Sequence, residues 1–155
     1  MKALGSLILA GGVLAATASL AVVTSTGAGF DFETASVEER AVWLQARGRA
    51  IASVGKPALR KGGGLFAFDF DLTAIAIRPE RREMLLTVQV AAPSGYRMRR
   101  SERDRTMRAL CAVAEATHLL EQNLRLTAVI ERPDGPRSRT VSAGPVECGV
   151  SLAER

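Results

Sequence analysis

Histidine is almost missing from this chain: His118 is the only one in 155 residues. A catalytic triad and a His-Glu-x-x-His zinc motif are therefore absent by inspection, since a metal site needs three or four ligands. Cysteine is nearly as scarce. Cys111 and Cys148 are the only two, and their spacing is not the Cys-x-x-Cys that depresses a thiol pKa at a helix start. Aromatic residues amount to five Phe, one Trp and one Tyr. Only Tyr96 stands near the arginine-rich stretch, so the stacking platform of single-strand nucleic-acid binders is missing and no nucleic-acid partner is expected. Lysine is reduced to Lys2, Lys56 and Lys61 among 21 basic residues. Arginine carries the rest of the charge, a bias that genome composition produces as readily as selection for anion contacts.

The first thirty residues hold the clearest signal. Met1-Lys2 is a minimal positive n-region, and Leu4 to Val23 run without a charge. Small and polar residues follow at Thr24–Ala28, and the first acids are Asp31 and Glu33. That order is the order of a secretory signal, with Ala16-Thr17-Ala18 or Thr26-Gly27-Ala28 offering small residues for a signal peptidase. A retained anchor is the alternative, because about 20 apolar residues also cross a hydrocarbon core. Either outcome keeps Lys2 inside and delivers the rest outside the cytoplasm, to a periplasm-like compartment. No cysteine lies near the leader, which excludes a lipid-anchored form. The expected organisation is a signal or anchor over 1–28 and one exported domain over 33–155.

Within that domain Ser36 and Glu39 match a capping box, and Val37, Ala41, Leu44, Gly48 and Ile51 recur at helical spacing. A helix is expected over 36–54, closed by Gly55-Lys56-Pro57, with Trp43 as a core anchor. Lys61-Gly62-Gly63-Gly64 reads as a flexible link, with a phosphate nest as its weaker alternative. Phenylalanine at 66, 68 and 70 alternates with other residues as in a half-buried strand over 66–72. A turn over 78–83 and a second strand over 85–91 complete a hairpin. A second helix is expected from Ser101, capped by Asp104, to Gln122, with Met107, Leu110, Cys111, Ala114 and His118 facing inward. The strands 124–131 and 139–143, joined by a turn at Arg132–Gly135, make a second hairpin. The predicted fold is α+β: two helices on a four-stranded, mainly antiparallel sheet in the order α-β-β-α-β-β. Leu72-Thr73-Ala74-Ile75 also resembles Leu126-Thr127-Ala128-Val129, which suggests an internal αββ duplication.

Few groupings carry chemistry. Cys111 and Cys148 are expected to form a disulfide in an oxidising compartment. Asp69 and Asp71 are the one carboxylate pair with acid–base or cation-binding potential. Arg97, Arg99, Arg100 and Arg103, with Arg105 and Arg108 behind them, are a candidate anion or partner patch at a helix start. No catalytic residue, metal or cofactor is expected. The expected function is a small non-catalytic exported module that binds an envelope protein or anionic component. A membrane-anchored accessory subunit, touching the bilayer only through residues 4–23, is the first alternative, and a carboxylate-dependent enzyme the second.

Overall fold

The computed structural model describes residues 29–132 and 138–149. The expected signal or anchor over 1–28 and most of the expected turn at Arg132–Gly135 lie outside them.

Helix α1 spans Val37–Gly62 and starts at the expected capping box: the Ser36 hydroxyl accepts from Glu39 N–H at 3.2 Å, and the Glu39 carboxylate accepts from Ser36 N–H at 2.8 Å. Two features differ from expectation. Val37 is 66% exposed, and the buried stripe is instead Trp43, Leu44, Gly48, Ile51, Gly55 and Leu59. The helix also passes through Gly55-Lys56-Pro57 and continues two more turns. A proline inside a helix costs roughly 3 kcal/mol. Full burial of Leu59 offsets much of that, and Lys56 and Arg60 pair with Asp71 and Asp69 on the neighbouring strand segment. Tertiary contact overrides the local stop signal.

The glycine run after α1 is a packing device, not a flexible link. A Cβ on Gly62 would stand 2.4 Å from the Ala109 Cβ, so the two helices touch there. Gly64 has φ +67° and would place a Cβ 2.7 Å from the backbone N of Thr106, a position only glycine fills without strain. The buried Thr106 hydroxyl accepts from Leu65 N–H at 2.9 Å, closing the turn. A short 3-10 turn, Gly64–Ala67, then buries Leu65 and Phe66. The phenylalanine alternation thus begins outside the sheet, and strand β1 is Phe70–Arg78 rather than 66–72.

β1 turns through Pro79–Arg81 and the left-handed Arg82 into β2, Glu83–Val90. Helix α2, Arg100–Ala116, returns the chain to β3, Arg125–Glu131, which pairs with β4, Arg139–Ala143. The sheet order is β1-β2-β3-β4, with antiparallel outer pairs and a parallel β2–β3 centre. The helix–hairpin–helix–hairpin architecture is therefore as expected. α2 is shorter than expected because His118 adopts φ +59° and ends it, with Leu119 N–H donating to the Ala114 carbonyl at 2.9 Å.

One sheet face holds the core. Met84, Leu86, Val88 and Val90 of β2 stand beside Leu126, Ala128 and Ile130 of β3 and Val141 and Ala143 of β4, all buried. Both helices cover this face and touch each other. A bulge at Thr73 lets Phe70, Leu72, Ile75 and Ile77 of β1 join it.

This arrangement overturns the duplication. With both helices on one face and β2 parallel to β3, the two αββ units are of opposite hand, and no rotation superposes them. The sequence match fails in detail as well: Ala74 lies on the open face, whereas its counterpart Ala128 is in the core. The resemblance is one of composition.

Candidate functional site

The topology gives the molecule two poles. At the near pole the described chain begins at Gly29, α1 starts, β1 turns into β2, and β3 starts. At the far pole α1 ends, α2 starts, and β3 turns toward β4. α1 is 26 residues long, so the poles are about 40 Å apart at about 1.5 Å per residue.

At the near pole Arg40, Arg47 and Arg82 are absorbed into packing. Phe30 stacks on Trp43 with centroids 5.1 Å apart, and Phe32 meets both rings edge-on. Arg47 lies 4.7 Å over Trp43, while Arg40 and Arg82 lie over Phe32 at 5.1 and 5.9 Å. A guanidinium over a ring gains from the ring quadrupole, which rationalises the buried, unpaired Nε atoms of Arg40 and Arg47. Arg82 also forks onto both oxygens of Glu33. That bond holds the Glu33 carboxyl below its usual range. Phe32 N–H donates to Gln122 at 2.9 Å, so the segment just after position 29 is part of the core. Trp43 is the core anchor that the sequence suggested. The arginine clasp around it was missed, although Arg40 and Arg47 stand three before and four after Trp43, the spacing that brings helical side chains together.

Cys111 and Cys148 are joined, with sulfurs 2.12 Å apart and Cα atoms 5.6 Å apart. The bridge fastens the turn after β4 to α2, where Cys148 N–H also donates to the Gly144 carbonyl. His118 pairs its Nδ1 with Glu121 at 2.8 Å on a half-exposed rim. With Cys111 in a disulfide, a Cys–His nucleophilic pair is ruled out.

Asp69 and Asp71 do not form a reactive dyad. Their side chains are 87% and 77% exposed, and each is held separately by α1: Asp69 by Arg60 at 3.1 Å and Asp71 by Lys56 at 2.7 Å. Lys56 holds the Asp71 carboxyl low, the reverse of what a general acid needs. Among the described residues, no group of three or more His, Cys, Asp or Glu is placed to hold a metal ion.

The far pole is different. Helix α2 begins at Arg100, one residue before the expected Ser101, and its capping carboxylate is Glu102, not Asp104. Glu102 accepts from Arg99 N–H at 2.8 Å, a bond that holds its carboxyl low. Arg97, Arg99, Arg100 and Arg103 are all exposed and crowd this helix start. None of them makes an ion pair among the described residues. Tyr96 braces the loop below them: its ring meets Phe68 edge-on at 5.0 Å, and its carbonyl accepts from Arg132 at 2.7 Å. Burial, helped by the Glu102 charge, pushes the Tyr96 hydroxyl up to about 12. A shallow pocket beside Tyr96 is lined by Met98, Arg132 and Arg139. Cationic donors on a braced loop, beside the free backbone N–H groups of a helix start, suit an anionic ligand.

No family model, no curated protein and no solved structure matches this chain. Its function is therefore read from its own residues.

Proposed function

We propose that this chain is a small, non-catalytic exported module whose far pole docks an anionic component of the cell envelope. The observation that carries the reading is the exposed group Arg97, Arg99, Arg100 and Arg103, without an ion pair among the described residues and set at the end of the molecule remote from Gly29. Arg40, Arg47 and Arg82 at the near pole are engaged by aromatic rings and by Glu33. The four at the helix start of the far pole are left for a partner.

Export is supported by the leader's charge and hydropathy order and by the disulfide, which persists in oxidising compartments. Among the described residues, no helix is long and apolar enough to cross a membrane. A membrane-anchored accessory subunit is the second reading. Phe30 and Phe32 pack into the core directly after position 29, so a retained leader would join the domain at its near pole. The arginines would then face away from the bilayer.

The intact mass of the chain recovered from a bacterial envelope, with and without reductant, tests the export half. A mass starting near residue 29, two hydrogens lighter before reduction, is expected. A reduced, full-length chain in the cytosolic fraction would contradict it. The docking half is tested by retention on dextran sulfate. Replacing Arg97, Arg99, Arg100 and Arg103 with serine abolishes retention if the reading holds and leaves it unchanged if it does not.

A further inference from the structure

The sheet's second face is bare: among the described residues, both helices lie on the opposite side and no element packs over this one. Its side chains are mostly short and lie in cross-strand rows fixed by the register. One central row is Ala76, Leu85, Thr127 and Ser142, and the next is Ala74, Thr87, Val129 and Thr140. The Thr127 hydroxyl donates to Glu83 at 2.7 Å and contacts the Ser142 hydroxyl at 2.9 Å, which leaves few open polar groups in the first row. The rows beyond these carry opposite charge. Arg78 and Arg125 flank Glu83 at the near end, while Asp71 and Glu131 flank Gln89 at the far end.

We propose that this face is a self-complementary interface that pairs two copies of the chain. A twofold axis lying between the sheets and perpendicular to the strands sets each β3 over its partner strand in reverse. Arg125 of one copy then meets Glu131 of the other, and Arg78 meets Asp71, each contact occurring twice. The two central rows exchange places, so Ala76 lies over Ala74 and Leu85 over Thr87. Small side chains of this kind suit sheets stacked face to face at about 10 Å. Asp71 is already held by Lys56, so the Arg125–Glu131 contacts carry most of the pairing. Arg125 has only a loose contact to Glu147 at 3.6 Å, and Glu131 makes no ion pair among the described residues. Four strands about 4.8 Å apart give a footprint of roughly 400 Å² per copy before side-chain relief is counted. The two copies together bury roughly 800 Å², below the roughly 1,200 Å² at which stable specific interfaces begin, so the dimer is a weak, dissociable one.

Sedimentation of the envelope-recovered chain over a concentration series tests the proposal, with near-UV circular dichroism confirming the fold of each variant. The wild type is expected to move from one chain to two. Arg125→Glu and Glu131→Arg each weaken the dimer at least about tenfold by setting like charges opposite each other, and the combined swap restores it. Thr140→Arg, at an exposed β4 position, provides a second disruption independent of the charge pair. A wild type that stays monomeric throughout, or a dimer indifferent to all of these changes, overturns the proposal.

Discussion

The two poles use the same residue type for opposite ends. At the near pole Arg40, Arg47 and Arg82 lie over Phe32 and Trp43, and Arg82 also holds Glu33. At the far pole Arg97, Arg99, Arg100 and Arg103 stand in solvent at a helix N-terminus, where a positive charge opposes the helix dipole. An arginine clamped on a ring contributes to folding. An arginine that opposes its own helix dipole does not stabilise that helix, and under the proposed function it is open to a ligand. Net charge alone would have treated all seven alike.

If that contrast holds, near-pole changes cost stability and leave anion binding intact. The largest effect is expected from Phe32→Ala. Phe32 is 1% exposed and is contacted by Phe30, Trp43, Arg40 and Arg82. A loss of about 3–5 kcal/mol is expected from chemical denaturation, with dextran sulfate retention unchanged in protein that remains folded. Next comes the disulfide, whose cysteines are 37 residues apart. Replacing both with serine is expected to cost about 3–4 kcal/mol. The bridge lies toward the C-terminal end of α2, so the arginines at the other end keep their affinity.

Acid titration produces a smaller effect. Glu33 is held low chiefly by Arg82, and Glu39 chiefly by Ser36 N–H, both from an ordinary value of 4.5. A carboxylate with a depressed folded pKa stabilises fully above its unfolded pKa and loses that contribution as pH falls through the folded value. The melting temperature should therefore hold from neutral pH to about 5 and fall below about 4.5. Glu33→Gln should flatten part of that fall; an unchanged acid limb would show that the Arg82 fork contributes nothing to folding.

Much of the architecture was legible because it is written in periodicity and caps. The Ser36–Glu39 box and the span of β4 appear where the residues place them, and the strand expected over 85–91 appears as Glu83–Val90. The failures share one cause, which is contact across long sequence separation. Pro57 reads as a stop until Leu59 is seen in the core. The glycines at 62–64 read as slack until Ala109 and Thr106 are seen against them. The phenylalanine alternation crosses from a 3-10 turn into β1, so period two began too early. At the candidate site, the pairing of the two cysteines was legible from type and position, as was the place of the four arginines at the start of α2. That Arg40 and Arg82 are engaged was not, because it depends on Phe32 folding back onto α1.

Calorimetric titration of dextran sulfate at several salt concentrations tests the central claim most directly. It is run on the wild type, on the Arg97, Arg99, Arg100 and Arg103 serine variant, and on Arg40→Gln with Arg47→Gln. The account predicts that the far-pole variant loses binding and most of its salt dependence, while its stability stays within about 0.5 kcal/mol of wild type. The near-pole variant should bind as wild type does and be less stable. Equal loss of binding in both variants would contradict it, because the charge would then act as a bulk property and not as a site.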